Sequence, residues 1–201
     1  MRVGDRREIP ELREVSDPLA LRALAHPVRI ALIEALSLQG PMTATEAGEM
    51  VGESPTTCSF HLRQLAKYGV VEEAGRGKGR ARPWKMTSIG MRISAGGGDP
   101  EAELAAVALT RLFRDRQLAR YRRWIESRST YPKRWQDAVG DSEYLFHLTV
   151  EELEALNGEL SALLLPRFRE RLTDPASRPA GSVPVEMLVF SYLIAPPPPE
   201  P

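Results

Sequence analysis

"TATEAGEMVGESPTTCSFHLRQLAKYG", residues 43–69, holds two helix starts and two helix stops. Thr43 followed three residues on by Glu46 is a capping box, so a short helix is expected from about Ala44 to Val51, ending at Gly52. Ser54 followed by Pro55 caps a second start, and that helix is expected to run to about Tyr68 and stop at Gly69. Two helices joined by a short turn containing glycine make a helix-turn-helix, whose second member lies in the DNA major groove. The faces of this second helix separate by helical spacing. Cys58, Leu62 and Leu65 form an apolar stripe that packs, while Thr56, Ser59, Phe60, Arg63 and Lys67 lie on a different face that is free to read DNA, with Thr57 beside them in the first turn.

The flanks extend the same unit. Asp17-Pro18 opens a helix with Leu19, Leu21, Leu24 and Ala25 on one face; His26-Pro27 interrupts it and starts another, bearing Val28, Ile30, Leu32, Ile33 and Leu36, which stops at Gly40-Pro41. After Gly69, "VVEEA" and "RPWKMTS" are short β-prone runs flanking "GRGKGRA", the pattern of a hairpin with a glycine-rich loop. A hairpin directly after a recognition helix is a wing. Its cations Arg76, Lys78, Arg80 and Arg82 suit a phosphate path or the adjacent minor groove. The rival reading, a nucleotide-phosphate cradle, fails because "GKG" lacks the first glycine of a P-loop and the hydroxyl after the lysine.

Charge supports the nucleic-acid reading locally, not globally. Lys+Arg and Asp+Glu are 27 each in 201 residues, yet residues 54–92 carry eight bases against two acids, +6, balanced by −6 elsewhere. A basic patch releases counterions only where it touches phosphates, so the local sum is the relevant one. Arginine outnumbers lysine 23 to 4, a bias of GC-rich bacterial coding sequences. The sequence shows no apolar run long enough for a membrane span and no secretory signal in "MRVGDRREIPELRE", so a cytoplasmic location is expected. The single cysteine, Cys58, has no cysteine partner for a disulfide or a zinc site, and no metal or cofactor is expected.

"LRALAHPVRIALIEAL", then residues 43–74, then a basic wing, together resemble the winged helix-turn-helix of ArsR-type (arsenical-resistance repressor) bacterial transcription regulators, from about Leu19 to Thr87. His26, Pro27 and Arg29, combined with Ser59, His61, Leu62 and Leu65 and the exit Gly69-Val70-Val71, carry the likeness. The resemblance implies a regulator that binds double-stranded DNA as a homodimer. It covers about a third of the chain. Metal-sensing members carry paired cysteines in the first helix of the motif; here that stretch is "TEAGEMVG", with none. Pro55 and Phe60 also depart from the family's usual polar residues, and Cys58 falls on the inward stripe. His61 matches a family position but reads more readily as a structural hydrogen-bonder than as a base reader. Arg29 is open to two readings, a phosphate contact or an ion pair inside the domain.

The expected organisation is an N-terminal arm at 1–16, the winged helix-turn-helix at 17–93, a helical or α+β dimerisation or effector domain at 101–195, and a disordered proline-rich tail at 196–201. The fold class is mainly α with small β. "SAGGGDP", residues 94–100, reads as a joint before a helix spanning 101 to about 128. Leu104, Val107, Ala108, Leu112, Tyr121, Trp124 and Ile125 are spaced along one broad face of that helix, the expected dimerisation surface. Beyond it, "EYLFHLTV" alternates, Thr149 and Glu152 cap a helix bearing Leu153, Leu156, Leu160 and Leu163, and "VPVEMLVFSYLIA" reads as a strand apolar on both faces. Such a unit suits either a small-molecule effector or a dimer scaffold. His147 beside Tyr144 has no serine, cysteine or acid pair at a supporting spacing, so no catalytic site is expected. The two competing classes are a winged-helix protein-interaction module, which would lack wing cations and a polar reading face, and an enzyme with a C-terminal active site.

Overall fold

Each of the first four helices begins where a side chain can satisfy its free N–H groups. In the computed structural model, which describes residues 12–75, 82–94 and 99–196, Asp17 accepts from the amides of Leu19 and Ala20 and starts α1 (Pro18–Leu24). His26 Nδ1 accepts from the Val28 amide and starts α2 (Pro27–Gln39). The Thr43–Glu46 box starts α3 (Ala44–Val51), and Ser54 Oγ, 3.0 Å from the Thr57 amide, starts α4 (Pro55–Lys67). The turn between α3 and α4 requires two glycines. Gly52 ends α3 at φ +75°, the left-handed region that side chains other than glycine's rarely adopt, and a Cβ on Gly48 would sit 2.6 Å from the Glu53 carbonyl oxygen.

The helices pack through their apolar stripes. Leu21, Leu24, Ile30, Leu32, Leu62 and Leu65 are all 0% exposed and join Ala47, Cys58, Val70 and Val71 in one core. Each fully buried leucine contributes about 1.5–3 kcal/mol by leaving water. The wing is built from β2 (Val71–Glu73) and β3 (Trp84–Met86), antiparallel with Val71 opposite Met86, and Met42 bridges Trp84 on the other edge.

The arm expected at 1–16 is corrected in its last part. Leu12–Val15 is a strand, β1, paired parallel with β4 (Gly90–Ile93), so the domain reaches back past residue 17. Arg13 Nη2 donates to the Tyr68 carbonyl at 2.8 Å, fastening β1 to the end of α4. Residues 1–11, the loop 76–81, the joint at 95–98 and the tail at 197–201 lie outside the described residues.

α5 (Pro100–Ser127) is capped by Asp99 and is 28 residues long, about 42 Å at 1.5 Å per residue. Its first half completes the core: Ala102, Ala105, Ala106 and Leu109 are buried, and Arg22 of α1 pairs with Glu101. α6 (Lys133–Ala138) and α7 (Val150–Thr173) follow, α7 opening on the Thr149–Glu152 capping box. The expected α+β unit is corrected as well. Among the described residues no strand follows Ile93, and residues 143–149 and "VPVEMLVFSYLIA" are neither helix nor strand. A strand exists through its ladder bonds, and neither segment finds a partner among the described residues. The fold is mainly α with small β.

Candidate nucleic-acid interface

The two stripes of α4 differ in exposure as their chemistry requires. Cys58, Leu62 and Leu65 face the core, whereas Thr56, Phe60, Arg63 and Lys67 face solvent, with Phe60 55% exposed. Ser59 and Thr57 are half-buried at the margin. Arg63 Nη2 donates to Ser59 Oγ at 2.9 Å, which holds the guanidinium along the helix with donors left over. Thr57 Oγ1 lies 2.8 Å from Ser54 Oγ, so Thr57 shares in the cap and is less free than its neighbours. The Lys67 ammonium sits 5.6 Å from the centre of the Tyr68 ring.

His61 points inward. Its ring lies 4.5 Å from that of His26, and its Nδ1 is buried without a hydrogen-bond partner, as is Nε of the half-buried Arg29. Burial, then the charges of His26 and Arg29, hold the His61 imidazole below its ordinary range; burial and Arg29 do the same to His26. Among the described residues no acid pairs with Arg29, which lies on α2. Burial and the Glu53 charge push the Cys58 thiol up, away from thiolate chemistry.

The wing divides in two. Arg82 stands at its neck, not its tip, with Nη1 2.9 Å from Glu73 Oε2, and Lys85 lies 3.1 Å from Glu72. These two acids are the only ones in the basic window, and both are spent on the neck. Arg76, Lys78 and Arg80 fall in 76–81, outside the described residues.

The expected dimerisation face of α5 resolves into two stripes on opposite sides. The inner one, Ala102, Ala105, Ala106, Leu109, Leu112 and Phe113, packs within the chain. Leu104, 74% exposed, faces outward with Val107, Ala108, Leu118 and Ile125. Leu112, Tyr121 and Trp124 are half-buried and do not belong to that outer stripe. Sequence reasoning missed the inner stripe because alanines give little hydrophobic signal. It also missed Glu34 of α2, which receives Arg116 at 2.8 Å and Arg120 at 2.7 Å; Arg120 in turn holds Glu186 at 2.6 Å. Burial alone would push the Glu34 carboxyl up, but the two arginines outweigh it and leave it below the ordinary carboxylate range.

Residues 24–74 match the helix-turn-helix domain family. With the hairpin of β2 and β3 following α4, this segment is a winged helix-turn-helix domain. The match supports a DNA-binding transcriptional regulator. No curated protein matches the chain. Two solved structures are similar: one described as a possible transcriptional regulator for arsenical resistance, 27% identical over 50% of this chain and 93% of that one, TM-score 0.31; the other a MarR family regulator from Neisseria meningitidis, 16% identical over 73% and 78%, TM-score 0.32. Among the described residues no group of histidines, cysteines and acids could hold a metal ion, and no helix is long and apolar enough to cross a membrane.

Proposed function

We propose that the protein regulates transcription by binding operator DNA as a homodimer. The observation that carries the reading is the division of α4: a fully buried stripe at Cys58, Leu62 and Leu65 fixes the helix on the domain, and its outer face offers Thr56, Phe60, Arg63 and Lys67 to solvent. In the major groove Thr56, Ser59, Phe60 and Arg63 face base edges and Lys67 lies nearer phosphate. Arg76, Lys78 and Arg80 of the wing add attraction to the backbone, while Arg82, paired with Glu73, adds less. Two half-sites one helical turn apart call for a twofold dimer, and the outer stripe of α5, Leu104, Val107, Ala108, Leu118 and Ile125, is its main contact.

The test is titration of the protein against labelled DNA from upstream of its own gene and against random DNA of equal length. Saturable binding of two chains per site, tighter on the upstream DNA, is the expected result. Equal affinity for both, with one chain bound, would overturn it.

A further inference from the structure

We propose that Phe60 is a specificity-determining residue that reads the C5 methyl group of thymine in the major groove. This rests on the reading of α4 given above and names the chemical group in DNA that its exposed face selects. Between Thr56 and Lys67 the exposed residues of α4 are Thr56, Phe60, Arg63 and Lys67, spaced by four, three and four positions, a single stripe along the helix. Three of them carry a hydroxyl or a positive charge. Phe60 alone is apolar, and it is 55% exposed.

The ring is held from behind. It meets the His61 ring nearly edge-on, with 5.2 Å between centres and 74° between planes. His61 is buried and lies 4.5 Å from the ring of His26, which caps α2. Edge-on aromatic pairs are favourable, so the Phe60 ring rests on a buried neighbour while its outer side stays in water. A side chain fixed in this way loses little freedom when it meets a ligand. The cation three residues on is fixed as well, since Arg63 is tied to Ser59 Oγ at 2.9 Å.

The surroundings of the ring select what it meets. A protein partner calls for a continuous apolar patch, and this stripe offers one ring among hydroxyls and cations. The major groove presents the complement. It has acceptors and phosphates for the hydroxyls and cations, and one apolar group, the thymine methyl, for the ring. Wedging a ring between base pairs is the device of minor-groove binders, whereas a helix enters the major groove. Covering one methyl strengthens binding about fourfold, and covering one in each of two half-sites roughly 15-fold.

The experiment uses the full chain and two versions of the DNA upstream of its own gene, one containing thymine and one containing uracil throughout. Uracil removes every C5 methyl and leaves O4 and the base-pairing groups in place. Both are titrated with the unmodified protein, Phe60→Ala and Phe60→Leu at one salt concentration, beside random DNA of each kind. The unmodified protein should bind the thymine DNA roughly 15-fold more tightly than the uracil DNA, with no comparable difference on random DNA. Phe60→Ala should bind both upstream DNAs equally, as weakly as the unmodified protein binds the uracil version. Phe60→Leu, still apolar, should keep part of the preference. Both variants should keep the helical circular dichroism of the unmodified protein, since most of the ring is exposed. Equal affinity of the unmodified protein for thymine and uracil DNA would overturn the assignment. So would a thymine preference that survives Phe60→Ala undiminished, or an equal weakening of both DNAs by that variant, the mark of a wedge. In each of these cases a preference for upstream over random DNA leaves the reading of α4 standing. Equal binding of upstream and random DNA by the unmodified protein would overturn both.

Discussion

Residues 12–93 and residues 128–196 spend similar lengths of chain on opposite solutions. The first region closes a core in which six leucines and isoleucines of α1, α2 and α4 are wholly buried; the second contains two α-helices, two short 3-10 turns and no buried residue. Both regions use the same local devices, including a Thr–x–x–Glu capping box at Thr43 and again at Thr149. Caps therefore decide where a helix starts, and only a partner surface decides whether it is buried. In the first region that partner is inside the chain. In the second no such surface is found among the described residues.

The largest expected effect breaks the buried side. Leu62→Ala should cost about 2–5 kcal/mol in denaturant unfolding, because the cavity cannot be refilled. Leu163→Ala in α7, at a position 61% exposed, should change stability by less than about 0.5 kcal/mol in dilute solution. Next in size is recognition: Arg63→Ala should cost about 1–3 kcal/mol on cognate DNA if its guanidinium meets a guanine edge, measured by anisotropy. Removing a cap sharpens the contrast further. Thr43→Ala should destabilise the domain by about 1 kcal/mol, whereas Thr149→Ala should fray α7, seen as lost helical circular dichroism, with little change in the unfolding midpoint of the domain.

Acid should act on the first region through its histidine pair. His26 and His61 have folded pKa values below 6.5, so the unfolded chain takes up protons more readily. Stability is then complete above about pH 6.5 and falls as the pH is lowered through the range between the unfolded and folded values. His61→Gln should flatten the thermal-midpoint profile between pH 7 and 5. An unchanged slope in that variant would remove the histidine pair from the account. The smallest effect is at the wing neck: Arg82→Gln should barely alter the salt dependence of DNA binding, while replacing Arg76, Lys78 and Arg80 together should lower its slope by up to about 2.7.

What the sequence discloses follows the same division. The caps at Asp17, Thr43, Ser54 and Thr149, the glycine stop at Gly52 and the buried stripe of α4 are all local signals, each written within a few residues. β1 was illegible because its partner β4 lies almost 80 residues away and "LREV" alternates like any charged arm. The C-terminal strands failed for a related reason: alternation in "VPVEMLVFSYLIA" states a preference for a strand but names no neighbour. Arg82 resembled its loop companions until the register of β2 and β3 set it against Glu73. On the exposed face of α4, Thr56, Phe60, Arg63 and Lys67 follow from helical spacing alone, whereas the capping role of Thr57 depends on a hydroxyl contact that spacing does not encode.

The most direct measurement is the affinity of the unmodified protein and of Arg63→Ala for upstream and random DNA across a range of salt. Tighter binding to upstream DNA, lost selectively by Arg63→Ala while the weak binding to random DNA and its salt slope persist, is the predicted result. Equal affinities for the two DNAs, unchanged by the substitution at every salt concentration, would contradict the assignment of α4 as the element that reads DNA.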